Sequence, residues 1–198
     1  MPLEKLRIPK REGWSEVVDT WSGVLDRYEE KSGDDVAYWH GENSLTASLA
    51  TAAWLANGAA LVEFETKRIR RVQAQSGSGA GDAYLCIGKD WYTVEAKLCW
   101  YSDELEPYLG LASSNLQTIH APDRVGTHAL ALCYCVLFIP EGKPPAQAIE
   151  QAKADLMRRF PRCELLLVYT PLAKQAPSHD GKTYPGMVVV GEFIDWPV

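Results

Sequence analysis

Two short apolar runs joined through a glycine constrain the fold of this 198-residue chain more than any other feature. Residues 83–87 and 94–98 each place apolar side chains at alternate positions, and Gly88 lies in the connection between them. This pattern predicts an antiparallel β-hairpin, because alternate residues of a strand point to opposite faces of a sheet. Burying both apolar sets on one face requires a loop with an even number of residues.

The loop length decides which polar residues meet across this hairpin. A two-residue loop at Gly88 and Lys89 brings Asp82 near Glu95, whereas a four-residue loop brings Asp82 near Lys97. Either loop groups the three polar residues on one face. They also fit the charged face of an ordinary strand, but the residues around Glu95 are otherwise apolar, and unpaired charge is costly there.

This grouping suits a divalent-metal site. Mg²⁺ takes oxygen ligands and is usually held by one or two carboxylates together with water and substrate phosphate, so Asp82 and Glu95 are candidate ligands. Lys97 would position the attacking water, or help to deprotonate it, and would offset charge on a phosphorane. The sequence therefore predicts phosphodiesterase chemistry at this hairpin.

The same residues resemble the PD-(D/E)XK nuclease superfamily. The matching pattern is Gly81-Asp82, twelve intervening residues and Glu95-x-Lys97, with Gly81 where the family usually has a proline. Upstream, Gly41-Glu42 opens a segment similar to the first core helix of the resolvase-like and YraN-like branches. In those branches a glutamate on this helix reaches the metal. The resemblance implies that Glu42 is a third acidic ligand or orients the water.

The resemblance covers about residues 40–170 and implies an α/β protein with a restriction-endonuclease-like mixed β-sheet flanked by helices. The order of apolar patterns fits this fold. Ser44 or Asn43 is a candidate N-cap for the first core helix, and Gly58 is its stop signal. Helices are predicted at residues 44–57, 103–119 and 145–160, and further strands at residues 59–66, 129–139, 165–169 and 187–194.

An amphipathic helix is predicted before this core, because apolar residues recur there at helical spacing. They are Trp14, Val17, Val18, Trp21, Leu25 and Tyr28. We expect one domain over residues 1–198, with an N-terminal helical extension at residues 1–38 and the PD-(D/E)XK-like core at residues 40–198. Core packing is favoured over base stacking as the use of the two tryptophans. An N-terminal surplus of aromatic residues would also allow a homodimer.

Charge is distributed unevenly in the chain. A net charge of −6 argues against a protein that coats nucleic acid nonspecifically. A basic cluster follows the strand predicted at residues 59–66 and is the best candidate for phosphate contacts, although ordinary solubilising charge explains it equally well. Its members are Lys67, Arg68, Arg70 and Arg71. A weaker group is formed by Arg158, Arg159 and Arg162.

Further candidate residues lie outside the hairpin. Asn115 and Gln117 are accessory candidates, but helical residues two apart do not share a face, so at most one should point to the site and two exposed amides are the favoured interpretation. Glu63 and Glu65 are reserve ligands on the preceding strand. Cys133-x-Cys135 with His128 suggests a zinc or thiol site, for which core packing is the better explanation.

The compartment is predicted from the cysteines and the apolar runs. Five cysteines, an odd number, lie within apolar runs, which favours buried reduced thiols and a cytoplasmic protein. No apolar run is long enough to span a bilayer, and the N-terminus has no signal-peptide pattern, so we expect no membrane association.

The expected function is hydrolysis of DNA phosphodiester bonds by a Mg²⁺- or Mn²⁺-dependent nuclease. Glu42, Asp82, Glu95 and Lys97 form the expected catalytic set, with the three carboxylates as metal ligands. RNA remains an open alternative to DNA, because substrate shape is read by loops and not by the metal centre. The alternative function is a catalytically inactive binding or assembly module of the same fold, within a defence, repair or toxin-related complex.

Overall fold

The structure, a computed structural model, describes most of the chain. The described residues are 3–33, 35–69, 76–100, 105–119, 121–140, 143–171, 178–179, 181–194 and 196. For residues 65–69, 76–79 and 178–179 the backbone alone is described.

From α2 to β6 the described helices and strands follow the order that the sequence predicted, α-β-β-β-α-β-α-β. The strands are β1 (Leu3–Arg7), β2 (Ala59–Ile69), β3 (Ser76–Ile87), β4 (Asp90–Trp100), β5 (Thr127–Pro140), β6 (Leu165–Tyr169), β7 (Ser178–His179) and β8 (Lys182–Ile194). The helices are α1 (Trp14–Ser32), α2 (Glu42–Leu55), α3 (Leu105–Leu116) and α4 (Pro145–Arg159), with 3₁₀ helices at Ala37–His40 and Ala121–Arg124.

Seven of the described strands form one mixed sheet in the order β1-β6-β8-β5-β4-β3-β2, and β7 pairs with β8. Strands β4 and β5 are parallel, and the other neighbouring pairs are antiparallel. A parallel pair needs a crossover connection, which α3 provides between β4 and β5. The α/β class is therefore confirmed.

Helices cover both faces of the sheet and bury two apolar cores. On one face, α1 and α2 pack over the central strands, and Trp14 and Trp21 of α1 are 0% and 1% exposed. On the other face, α3 and α4 pack against β5, β6 and β8. The N-terminal helix is confirmed, and its tryptophans are core residues, as predicted.

The β3–β4 hairpin has the shorter of the two predicted loops. Ile87 pairs with Asp90, so the loop is Gly88-Lys89, and Gly88 has φ of 61°. A glycine with positive φ at the first position of a two-residue loop is typical of a type II′ turn. Ala83 pairs with Val94, and the apolar alternate residues of both strands are buried together with α1 and α2. The predicted register is confirmed.

Several boundaries differ from the prediction. Helix α2 begins at Glu42 with Gly41 as its N-cap, so neither Asn43 nor Ser44 caps it. Strand β3 begins at Ser76, ahead of the predicted run at residues 83–87, because residues 76–79 pair with β2. Strand β1 was not predicted, and β8, predicted for residues 187–194, begins at Lys182 and lies between β5 and β6.

A search of the described helices for a membrane-crossing segment finds none with the necessary length and apolar character.

Gly58 provides a test of how tightly α2 is joined to the sheet. A β-carbon at Gly58 would lie 2.1 Å from the carbonyl oxygen of Cys86 and 2.8 Å from that of Ala53. Because both are backbone atoms, Gly58→Ala should lower the free energy of unfolding by about 2–3 kcal/mol. Urea unfolding followed by circular dichroism measures this change.

Gly23 is the matched control. It lies exposed in α1, and a β-carbon there would meet nothing within 4 Å. Gly23→Ala should therefore stabilise the protein by up to about 1 kcal/mol, because alanine loses less backbone entropy in a helix. Equal stability of the two variants would contradict the close contact between Gly58 and β3.

Candidate functional site

Strand β3 separates from β4 at Asp82. The β3–β4 ladder runs from Ala83 to Ile87 of β3, whereas β3 stays paired with β2 from Cys86 back to Ser76. Strand β4 continues along β5 as far as Trp100. The described ladder thus leaves the edge of β4 beyond Val94 without pairing to β3. We call this opening between the two strands the fork.

Two carboxylates take the places that β3 leaves open. The Ala96 N–H donates a hydrogen bond to Asp82 Oδ2 at 2.7 Å, and the Leu98 N–H donates one to Glu42 Oε2 at 3.0 Å. Unpaired backbone donors in a partly buried edge cost free energy, so both acids stabilise this edge of β4. Asp82 comes from the separating strand and Glu42 from the first turn of α2.

The ammonium of Lys97 lies among oxygens from three sources. Lys97 Nζ donates to Glu42 Oε1 at 2.9 Å, lies 3.6 Å from Asp82 Oδ2, and also donates to the carbonyl of Ala96. Side-chain exposure is 18% for Lys97, 25% for Glu42 and 23% for Asp82. The fork therefore contains a group of oxygens around one cation, and the three side chains are largely shielded from solvent.

These contacts determine the charge state of Lys97. Partial burial lowers the pKa of Lys97, but the hydrogen bond to Glu42 and the negative charges of Asp82, Glu42 and Glu95 outweigh it, so the pKa lies above its ordinary value. Lys97 is therefore protonated at neutral pH. It stabilises negative charge, and it does not accept a proton while these carboxylates surround it.

Glu95 lies deeper in the structure than the other acids. It is 2% exposed, and its charge contributes to the raised pKa of Lys97. Asp82 and Glu95 lie on either side of the fork, immediately beyond the last ladder pair, Ala83–Val94. The structure thus places all four predicted catalytic residues around the fork, with direct contacts joining Glu42, Asp82 and Lys97.

The local sequence explains how Asp82 reaches this position. A β-carbon on Gly81 would lie 2.5 Å from the ring of Phe64, so Phe64 occupies the space that a side chain, or the proline of the family pattern, would need. Glu63, which lies between the paired residues Val62 and Phe64, has φ of 52°, an unusual value for a residue other than glycine. The backbone of β2 is thus distorted opposite Asp82.

The reserve ligand Glu63 has a polar partner of its own. Asn43 Nδ2 donates to Glu63 Oε1 at 3.0 Å. Since Asn43 follows Glu42 in the first turn of α2, this bond joins that turn to β2 beside the fork. The side chain of the second reserve ligand, Glu65, lies outside the described part of the chain.

The sequence also predicted a basic cluster, two accessory amides and a weaker basic group. Lys67 and Arg68 belong to β2, but their side chains, together with Arg70 and Arg71 entirely, lie outside the described residues. Asn115 is half-buried in the last turn of α3, and Gln117 is exposed beyond its end. Arg159 of the weaker basic group pairs with Glu106 of α3.

The cysteine–histidine zinc alternative is wrong. Cys133 and Cys135 are buried in the core beneath α3 and α4, with Cys133 Sγ 3.7 Å from Cys99 Sγ. His128 is separate from them: its Nδ1 lies 3.3 Å from Arg11 Nη1, and its ring contacts Tyr92, a residue of the α1 and α2 core. Core packing explains the thiols, as predicted.

The donor set at the fork fits a hard cation. Glu42 Oε1, Asp82 Oδ2 and the Ala96 carbonyl already surround one positive charge, and oxygen ligands of this kind suit Mg²⁺ or Mn²⁺. Across the described ranges, no group of three or more acidic, cysteine or histidine side chains is arranged to hold a metal ion. The Ala96 carbonyl was missed from the sequence, because backbone atoms leave no signal in residue types.

The pH dependence of stability tests the environment of Lys97. Because its pKa is raised in the folded state, its contribution is fully present below the ordinary lysine pKa of about 10.4 and is lost as the pH rises through the folded pKa. Lys97→Met should cost about 2 kcal/mol of unfolding free energy at pH near 7 in EDTA, with the difference from wild type shrinking above pH of about 10.4.

Urea unfolding across this pH range measures the effect, and Lys143→Met is the control because Lys143 is exposed. A Lys97→Met variant as stable as wild type at neutral pH would show that the carboxylates do not hold the ammonium in solution.

Comparison with known proteins identifies no relative of this chain. The chain matches no protein-family model, no curated protein and no solved structure.

Proposed function

We propose that this protein is a divalent-metal-dependent nuclease of the PD-(D/E)XK type, with a restriction-endonuclease-like fold, and that it hydrolyses DNA phosphodiester bonds at the fork. One observation carries the proposal. Glu42, Asp82 and the carbonyl between Glu95 and Lys97 surround a single cationic position at the end of a strand pairing. The four residues of the expected catalytic set come from α2 and from the two strands of the β3–β4 hairpin.

Asp82 and Glu42 would hold the metal through carboxylate lone pairs that the backbone hydrogen bonds leave available. Each carboxylate accepts one N–H from β4, and this bond fixes its orientation. A carboxylate oxygen has lone pairs beyond one hydrogen bond, so both acids can also bind a cation. Glu95, buried beside them, would add negative charge or a further ligand.

A bound Mg²⁺ or Mn²⁺ would supply Lewis-acid chemistry at the scissile phosphate and lower the pKa of a bound water. Lys97 would place its positive charge against the developing charge of the phosphoryl oxygens. Its compact ammonium and flexible stem allow it to move aside within the same group of oxygens. The restricted exposure of the fork strengthens these electrostatic interactions.

The second candidate function is a noncatalytic binding or assembly module on the same fold. The contacts of Lys97 favour it specifically, because this lysine offsets the charge of the two carboxylates. A second lysine with similar contacts, Lys153, lies on α4 between Glu4 at 2.5 Å and Glu150 at 2.7 Å. A lysine between two acids is therefore not by itself a catalytic feature in this protein.

Nuclease activity is tested with supercoiled plasmid, linear duplex and single-stranded DNA in Mg²⁺ or Mn²⁺. Lys97→Ala and Asp82→Asn should each lower the cutting rate by at least about a hundredfold, because each removes a group required at the transition state. EDTA should abolish cutting by the wild-type protein.

Lys153→Ala is the matched control for this assay. Its side chain is 18% exposed, the same fraction as Lys97, and it also bridges two carboxylates. Full activity of Lys153→Ala with loss in Lys97→Ala would identify the fork as the site. Equal loss in both variants, or full activity of Lys97→Ala, would refute the mechanism.

Metal binding separates the two candidate functions. Calorimetric titration with Mn²⁺ should show one site in the wild-type protein, with affinity reduced at least about tenfold in Asp82→Asn, because a neutral amide is a weaker ligand for a hard cation. Glu106→Gln, which removes the carboxylate paired with Arg159 on α3, is the control. Wild-type protein without Mn²⁺ uptake would favour the noncatalytic module.

A further inference from the structure

Three aromatic rings lie together at the end of β4, outside the fork. Trp100 is the last residue of β4, Trp39 belongs to the 3₁₀ helix before α2, and Tyr184 belongs to β8. The ring centroid of Tyr184 lies 5.9 Å from that of Trp39 and 5.7 Å from that of Trp100, both in edge contacts. We call these three residues the aromatic platform.

The platform is open to solvent, unlike the tryptophans of α1. Trp39 is 38% exposed and Trp100 is 44% exposed. Tyr184 is half-buried between them, and its carbonyl accepts a hydrogen bond from the buried Tyr38 hydroxyl at 3.0 Å. The hydrogen bond therefore joins the backbone of Tyr184 to the core, while part of the surface of Trp39 and Trp100 faces solvent. Exposed aromatic surface of this kind costs hydration free energy unless a ligand covers it.

The platform lies beside the fork. Trp100 follows Leu98, whose N–H is bonded to Glu42, by two residues on the same strand, which places the two side chains on one face at a separation of roughly 7 Å. Trp39 precedes Glu42 by three residues on the other side. A flat group stacked on the platform would therefore be a close neighbour of a phosphate bound at the fork.

We propose that the aromatic platform stacks unpaired bases, so that the substrate of the fork is a single-stranded or locally unpaired nucleic acid. This inference depends on the proposed nuclease function for its location. Base stacking on aromatic side chains is the principal means of binding single strands without sequence preference, whereas bases within a duplex are already stacked on one another. The rings offer this surface next to the cation-binding oxygens.

The composition of the surface favours a base over an apolar protein segment. The large exposed aliphatic side chains of the described chain lie on α2, β2, α3 and α4 and before β5, not on the three elements that form the platform. Lys182, two residues before Tyr184 on β8, is exposed and lies over the ring of Phe138, with 4.6 Å between Nζ and the centroid. It adds a cation suited to a phosphate.

Fluorescence anisotropy tests the proposal with a labelled oligothymidylate and a labelled duplex of equal length, in EDTA so that neither is cut. Wild-type protein should bind the single strand more tightly than the duplex. Trp39→Leu and Trp100→Leu should each raise the Kd for the single strand about tenfold, because leucine keeps apolar volume but offers no ring. Trp39→Phe and Trp100→Phe should stay near the wild-type value.

Trp54→Leu is the matched control. Trp54 is 59% exposed and lies on α2, where its Nε1 donates to the Ala60 carbonyl. Its replacement should leave the Kd unchanged. Circular dichroism of each variant confirms that a raised Kd does not result from unfolding, and the phenylalanine variants give a second measurement in case a leucine variant does not fold.

The possible failures are distinguishable. Equal binding of single strand and duplex, unchanged Kd in the leucine variants, or no binding of either nucleic acid would overturn the platform proposal, and the last would indicate a protein-binding surface instead. Lys97-dependent cutting of duplex DNA with no effect of Trp39 or Trp100 would preserve the nuclease and reject the platform. Ring-dependent binding of single strands without cutting by any preparation would support the platform and reject the nuclease.

Discussion

The early end of the β3–β4 pairing is the constraint on which the site depends. A strand edge within a folded sheet carries N–H groups that need acceptors, and here β3 stops supplying them at Asp82. The acceptors are instead the carboxylates of Asp82 and Glu42. The structural requirement of β4 therefore fixes two acids within reach of one another, and Lys97 offsets their charge. Their function as ligands would need no additional scaffold.

Asp82 and Glu42 each accept a backbone N–H of β4 and also face Lys97. These two sets of contacts explain why the acids at the fork differ from those of a surface ion pair. Lys153 joins two carboxylates whose side chains are 50% and 71% exposed, whereas those of Glu42 and Asp82 are 25% and 23% exposed. Exposed pairs contribute little, because water screens the charges and the side chains lose entropy when they are held. At the fork, backbone donors orient the carboxylates, so a cation meets oxygens that are already positioned.

The sequence predicts the part of the site that depends on alternation along adjacent strands. Reversing the face of one strand would have moved either Leu85 or Val94 out of the shared apolar core, so burial alone selected an even loop. Gly88 allowed the shorter of the two even loops. Glu42 was found only through resemblance, because its contact with Leu98 of β4 joins residues 56 positions apart in the chain. The fork itself was not predicted. The ring of Phe64 lies against Gly81 beside the fork, and α2 brings Glu42 to the edge of β4. Residue patterns encode neither contact.

The chain carries more acidic than basic residues, which limits how such a site would bind a nucleic acid. Proteins that bind nucleic acid through many phosphate contacts use lysine and arginine, and their affinity falls steeply with salt. This chain has a net charge of −6 and places acids at the fork. Stacking on Trp39 and Trp100 would supply affinity that does not depend on counterion release, and a metal at the fork would supply the local positive charge. An acidic protein can then act on a polyanion, provided that its bases are unpaired and accessible.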